Sequence, residues 1–145
     1  MPEVHLTQQM SEAFASAIPD GRPALVATAS ASGMPDLAYK GSLMVLDDDH
    51  LAFWERAHGT TLQNLQQNPQ ASALYWNPAA RISWKFFGAA ELLTSGPRRD
   101  EIVEMGKTVQ LELDRDPERK GVAVVIRVDK VIQLGQVVME RRSDG

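Results

Sequence analysis

The 145-residue chain contains no cysteine. Disulfides, thiolate catalysis and cysteine-based metal sites are thereby excluded together, and a cytosolic setting is the expectation. An excess of positive charge is also missing, since 15 Lys and Arg stand against 19 Asp and Glu for a formal net charge of −4. The field of the whole molecule does not attract a polyanion, so nucleic acid is not an expected partner, while a local basic pocket for one phosphate stays compatible with it. No run of about eighteen apolar residues occurs, and Met1-Pro2-Glu3-Val4-His5 does not lead from basic residues into an apolar stretch, so no membrane partner is expected. Gly-x-Ser-x-Gly, His-Glu-x-x-His, Walker-type and Gly-x-Gly-x-x-Gly motifs are all absent. The three histidines, at 5, 50 and 58, fall in a terminus and two turns, from which no nucleophilic triad can be assembled. His58 alone reads as a turn residue, with a general acid or an axial haem ligand as the sharper alternative. Asp47-Asp48-Asp49 lacks the glycine and spacing of a calcium loop and reads as a solvated turn, so no metal site is expected.

What is present is one domain, residues 1–145, of short patterned elements. Leu6, Met10, Phe14 and Ile18 recur every four residues, which predicts a helix from Leu6 to Ile18 with Thr7 as its cap. Extended runs from Pro23 to Ser30 and from Asp36 to Leu46 flank Ser32-Gly33-Met34-Pro35 and predict a hairpin. In the second run a period of two sets Lys40 and Ser42 on one face, with Tyr39, Leu43 and Val45 on the other. Further strands are predicted at 51–54, 71–76, 82–93 and 122–128, the last apolar on both faces and therefore central, with Val131–Leu134 as its extension. Gly88 suggests a bulge or bend. Ser95-Gly96-Pro97 opens a helix to about Leu113, with Ile102, Met105 and Val109 as its inner stripe. The charge run Asp114–Gly121 reads as a solvated loop, and residues 140–145 as a frayed tail. Strands joined by short turns give an α+β, mainly β, antiparallel sheet or small barrel with helices over its ends.

The chemistry concentrates where strand 51–54 runs through Gly59 into a short helix. Thr60-x-x-Gln63 fits a capping box, and the amides of the first turn, around Thr61 and Leu62, would face outward at the positive end of the helix dipole. Such a junction favours a phosphate. If the strands pair through the Asp47–His50 turn, Lys40, Ser42, the backbone of Trp54 and Glu55, and Gly59-Thr60-Thr61 share one small volume. A cation, hydroxyls, amides and aromatic surface together suit a flat, phosphorylated ligand.

In order and spacing, Tyr39-Lys40-Gly41-Ser42, Asn64-Leu65-Gln66-Gln67-Asn68-Pro69 and Gly88-Ala89-Ala90-Glu91-Leu92 resemble the pyridoxamine 5′-phosphate oxidase-like proteins, from about Ala24 to Leu134. The resemblance implies a six-stranded antiparallel split β-barrel that forms a homodimer with FMN at its interface. It implies an oxidoreductase acting on a small-molecule substrate, or a non-catalytic flavin-, deazaflavin- or haem-binding protein of the same fold. Carried over by position, Lys40, Gly41 and Ser42 would line the ribityl and phosphate side, Trp54 and Glu55 would offer backbone near the flavin ring, and Ser83 and Lys85 would stand on the opposite wall, together with Trp84. Thr60 and Thr61 fall where the oxidases carry an Arg-Lys pair for the phosphate, with Lys40, Arg56 and the helix N-terminus left to compensate. No basic substrate-phosphate site is evident in the C-terminal region beyond Arg141-Arg142, so vitamin B6 oxidase activity is not implied, and no catalytic residue is assigned.

Overall fold

The structure is a computed structural model that describes residues 1–105 and 112–142. Its first helix, α1 (Gln8–Ser16), starts as expected: Thr7 Oγ1 accepts from the Met10 amide at 3.1 Å, and Met10 and Phe14 are buried. Ile18 lies beyond the helix end and is exposed. The hairpin follows as β1 (Leu25–Ala29) and β2 (Pro35–Tyr39), turning through Gly33 at φ +92°. That positive φ explains the glycine.

The single long run expected from Asp36 to Leu46 is broken in two. After β2 the chain turns, with the Lys40 carbonyl accepting from the Leu43 amide at 3.1 Å, and resumes as the two-residue β3 (Met44–Val45). Lys40 and Ser42 therefore sit in a turn rather than on one face of a strand. Gly41 packs so closely on α1's exit that a Cβ there would stand 2.9 Å from Ile18 Cδ1. The remaining elements are β4 (His50–Glu55), α2 (Thr60–Gln67), β5 (Gln70–Asn77), β6 (Ile82–Leu93), α3 (Pro97–Met105), β7 (Val122–Gln133) and β8 (Gln136–Glu140).

All pairings are antiparallel, in the order β2-β1-β5-β6-β7-β4-β3, with β8 continuing β4's edge of β7. The sheet curls into the half-barrel of a mainly β split-barrel fold. It has eight strands rather than six, because the second run splits and because Gln136–Glu140 pairs with β7 beyond a turn at Leu134 and Gly135. The expected frayed tail is ordered as far as Arg142: Arg141 donates to Asp129 Oδ1 at 3.0 Å and to Asp49 Oδ2 at 3.1 Å, and the Arg142 amide reaches Glu3. Charge, read as a mark of solvation, here binds the chain end to the sheet.

Inside the half-barrel, Phe14 packs edge-on against Tyr75 at 5.7 Å, and Tyr75 stacks on Trp84 at 5.4 Å. β7 is buried on both faces, as its apolar run predicts. Its second face, with Ala123 and Val125, joins Ala52, Trp54, Ile102 and Leu113 in a smaller core beneath α3. Met105 of the expected inner stripe is exposed instead, and Val109 lies outside the described residues. Gly88 sits at a register shift between β6 and β7, where a Cβ would overlap the Arg127 carbonyl oxygen.

The charged loop is not all solvated. Asp116 is buried, and its carboxylate accepts from Trp54 Nε1 at 2.9 Å, the Lys120 amide at 2.9 Å and the Gly121 amide at 2.7 Å. Arg99 of α3 lies 4.7 Å over the Trp54 ring and donates to the Arg119 and Gly121 carbonyls. Burial alone would raise the Asp116 carboxyl, but these hydrogen bonds and the nearby Arg119 charge outweigh it and hold the group below its ordinary 3.8. A depressed folded-state value contributes stability above pH 3.8, and that contribution disappears as the pH falls through the lowered value. Asp116→Asn should therefore cost about 2 kcal/mol at pH 7 by urea denaturation, with the gap to the parent chain narrowing below pH 3.8. A gap independent of pH would remove the carboxylate from this account. Gly88→Ala should cost about 3 kcal/mol or more in the same assay, because the obstructing atom belongs to a paired backbone.

Candidate functional site

Two stretches meet at the end of β4: the 40–43 turn and the last residues of β4 with the loop into α2. Lys40 extends its side chain to Glu55, Nζ to Oε2 at 2.6 Å, with the two side chains only 15% and 4% exposed. The ammonium also lies 5.8 Å from the Phe53 ring centre. The other Glu55 oxygen, Oε1, accepts from the Ala57 amide at 3.3 Å. Burying either charge alone would be costly, so the pair and the amide explain one another.

Ser42 takes a different role from the one its hydroxyl suggested. It is buried, accepts from the Trp54 amide at 3.0 Å and donates to the Trp54 carbonyl at 3.4 Å, stapling the turn to β4. Lys40 and Ser42 thus engage consecutive β4 residues, Glu55 by its side chain and Trp54 by its backbone. The Trp54 ring points to the opposite side of the strand, into the small core under α3.

The loop 56–59 then delivers the chain to α2. Its cap is Gly59 and not Thr60; Gly59 makes no side-chain cap bond, and the Gln63 amide returns to the Gly59 carbonyl at 3.0 Å. The expected capping box is therefore absent, because Thr60 already lies inside the helix. Thr60 is exposed, while Thr61 is buried with Leu62. Among the described residues no group accepts from the amides of Thr60, Thr61 or Leu62, the free first-turn donors expected of a helix start. Asn64 anchors the helix by donating to Thr28 Oγ1 at 3.0 Å. His58 adopts φ +51° with Nε2 3.0 Å from the Lys120 carbonyl oxygen, and Arg56 pairs with Glu112 at 3.1 Å. Arg56 is thus already engaged by the helical turn at 112–114.

Ser83 and Lys85 stand elsewhere, opposite Trp76 and Leu74 on the outer face of the sheet. No hydrogen bond or ion pair joins them to Lys40 or Glu55 among the described residues. That outer face is bare over β2, β1 and β5: Leu37 and Tyr39 are 69% and 70% exposed, and Trp76 is 61% exposed. A hollow of about 260 Å³ lies between Arg22, Tyr39, Leu74 and Trp76, and another of about 270 Å³ between Ala27, Ser72 and Phe87.

The acidic turn is organised by ion pairs. His50 Nδ1 lies 2.8 Å from both Asp47 Oδ1 and Asp49 Oδ1, while Arg98 and Arg141 engage the other carboxylate oxygens. Burial would raise the Asp49 carboxyl, but the hydrogen bonds from Arg141 and with Asp47 and the charges of His50 and Arg141 lower it.

Residues missed from the sequence are Glu55 as a side chain, Arg99 and Asp116. A Trp 62 positions before its acidic partner leaves no periodicity in the sequence; only the alternation Phe53 in, Trp54 out, Glu55 in places the Glu55 carboxylate.

A family model described as pyridoxamine 5′-phosphate oxidase matches residues 10–135. An uncharacterized protein of Methanocaldococcus jannaschii is 27% identical over 133 residues, spanning 90% of this chain and 82% of the relative. Among solved structures, an FMN-binding protein from Syntrophomonas wolfei superposes with a TM-score of 0.63 at 15% identity, covering 88% of this chain and 87% of its own. HutZ, the haem storage protein of Vibrio cholerae, gives the same TM-score of 0.63 at 15% identity, covering 89% and 96%. At such identities the two structures speak for the fold alone. With the model spanning nearly the whole described sheet, the chain belongs to the pyridoxamine 5′-phosphate oxidase family.

Proposed function

We propose that this chain is an FMN-binding oxidoreductase that works as a homodimer on a small-molecule substrate. The observation that carries the reading is Lys40, a shielded cation held by the end of the strand that leads into a helix start with free amides. A cation and unpaired N–H groups are the donor set a phosphate monoester needs. In this reading Lys40 and the amides of Thr60 and Thr61 hold the phosphate, Gly59 keeps the approach open, and Gly41 allows the 40–43 turn to lie close. Ser42 acts by fixing the turn on Trp54, and Glu55 by its backbone and its pairing with Lys40. Bound FMN would supply the hydride or electron transfer; the protein supplies orientation and charge.

The bare outer face supports the dimer. β4 and β7 are covered on that face by α3, whereas β2, β1 and β5 expose a run of apolar side chains with two hollows. A contiguous apolar surface of this kind is expected to be covered by a partner. Ser83 and Lys85 lie on it, so a second chain is the means by which they reach a flavin.

Titrating FMN into the purified chain, and following its visible spectrum and fluorescence, tests the reading directly. Micromolar or tighter binding is expected, and no flavin binding, or a haem Soret band in its place, overturns the FMN assignment. Lys40→Met removes the ammonium and leaves the Glu55 carboxylate unpaired beside the phosphate, so it should weaken FMN by about 1.5–3 kcal/mol in protein shown by circular dichroism to be folded. Trp76→Glu should shift the chain from dimer to monomer in sedimentation; an unchanged mass would place the interface elsewhere.

A further inference from the structure

The Lys40–Glu55 pair carries a consequence for which flavin the site accepts, and it rests on the phosphate reading above. Lys40 is not a free cation. Glu55 Oε2 sits 2.6 Å from its ammonium, in the place an anionic ligand oxygen would take, and the Ala57 amide holds the carboxylate there through Oε1. At positions 60 and 61, where α2 begins, stand neutral threonines, one of them buried. Arg56, the nearest further guanidinium along the chain, is paired with Glu112. Among the described residues of these two stretches, the positive charge offered to a phosphate is therefore one ammonium already matched by one carboxylate.

We infer that Glu55 is the specificity-determining residue of this site: a built-in carboxylate that competes with the ligand's phosphate for Lys40. A phosphate must share Lys40 with Glu55 and face its negative charge at close range. A flavin without a phosphate meets no such competitor. The site as built therefore separates FMN from riboflavin weakly, and removing the Glu55 charge converts it to a phosphate-selective site.

Equilibrium titrations of FMN and of riboflavin into the full chain, read by flavin fluorescence, test this. In the parent chain the two dissociation constants should lie within about threefold, less than one charged hydrogen bond supplies. Glu55→Gln keeps the shape and an acceptor for Ala57 and should tighten FMN by about tenfold, with riboflavin moved by less than about twofold. The double variant Lys40→Met with Glu55→Gln should lose that gain. A parent chain that prefers FMN by about a hundredfold, or a folded Glu55→Gln whose FMN affinity is unchanged or weaker, overturns the inference and leaves the FMN reading standing. If Glu55→Gln does not fold, the parent-chain ratio decides alone. Failure of both flavins to bind the parent chain overturns the phosphate reading and this inference with it.

Discussion

The whole arrangement depends on β7 being apolar on both faces. A strand of that kind cannot lie at an edge or against water, so it must be central and must have cover on its two sides. Inside, the aromatic cluster around Phe14, Tyr75, Trp84 and Phe86 supplies one cover. Outside, Ile102 of α3 and Leu113 supply the other, joined there by polar contacts to Trp54. Arg99 on the ring face and Asp116 on the indole N–H turn a single tryptophan into the point where helix, loop and strand agree.

That same tryptophan divides structure from function along β4. Its side chain faces the outer core, its backbone is held by Ser42, and the next residue, Glu55, faces Lys40. Alternation along an extended strand thus places a structural anchor and a charged site residue back to back, with 3–4 Å of chain between them. The position of the candidate site is therefore inherited from the packing of α3.

Much of the fold was legible because it is written in local periodicity: the Thr7 cap and the Met10–Phe14 stripe, the alternating β6, and the doubly buried β7. What escaped lies in contacts between residues distant in sequence. Asp116 sits in a run of charges that resembles any solvated loop, and only the indole 62 positions earlier distinguishes it. Arg141 likewise looks like a tail residue until Asp49 and Asp129 come within reach across the sheet. The error at Lys40–Ser42 has a different cause, since a Lys-Gly-Ser turn between two apolar runs keeps the strand's period of two by coincidence. At the helix start the ambiguity was between adjacent cap positions, Gly59 and Thr60, which differ by one residue and not by fold.

The two ends of the described chain lie side by side: the Glu140 amide donates to the Pro2 carbonyl at 2.9 Å, and the Arg142 amide to Glu3. Residues 2–3 are thus held against residues 140–142. The contact between them encloses almost the whole chain, so it carries a large loop-closure cost in the unfolded state, though one that grows only logarithmically with length. Holding these two segments together covalently would remove this cost, and a chain break at a surface turn such as the one at Gly33 would leave every strand pairing in place.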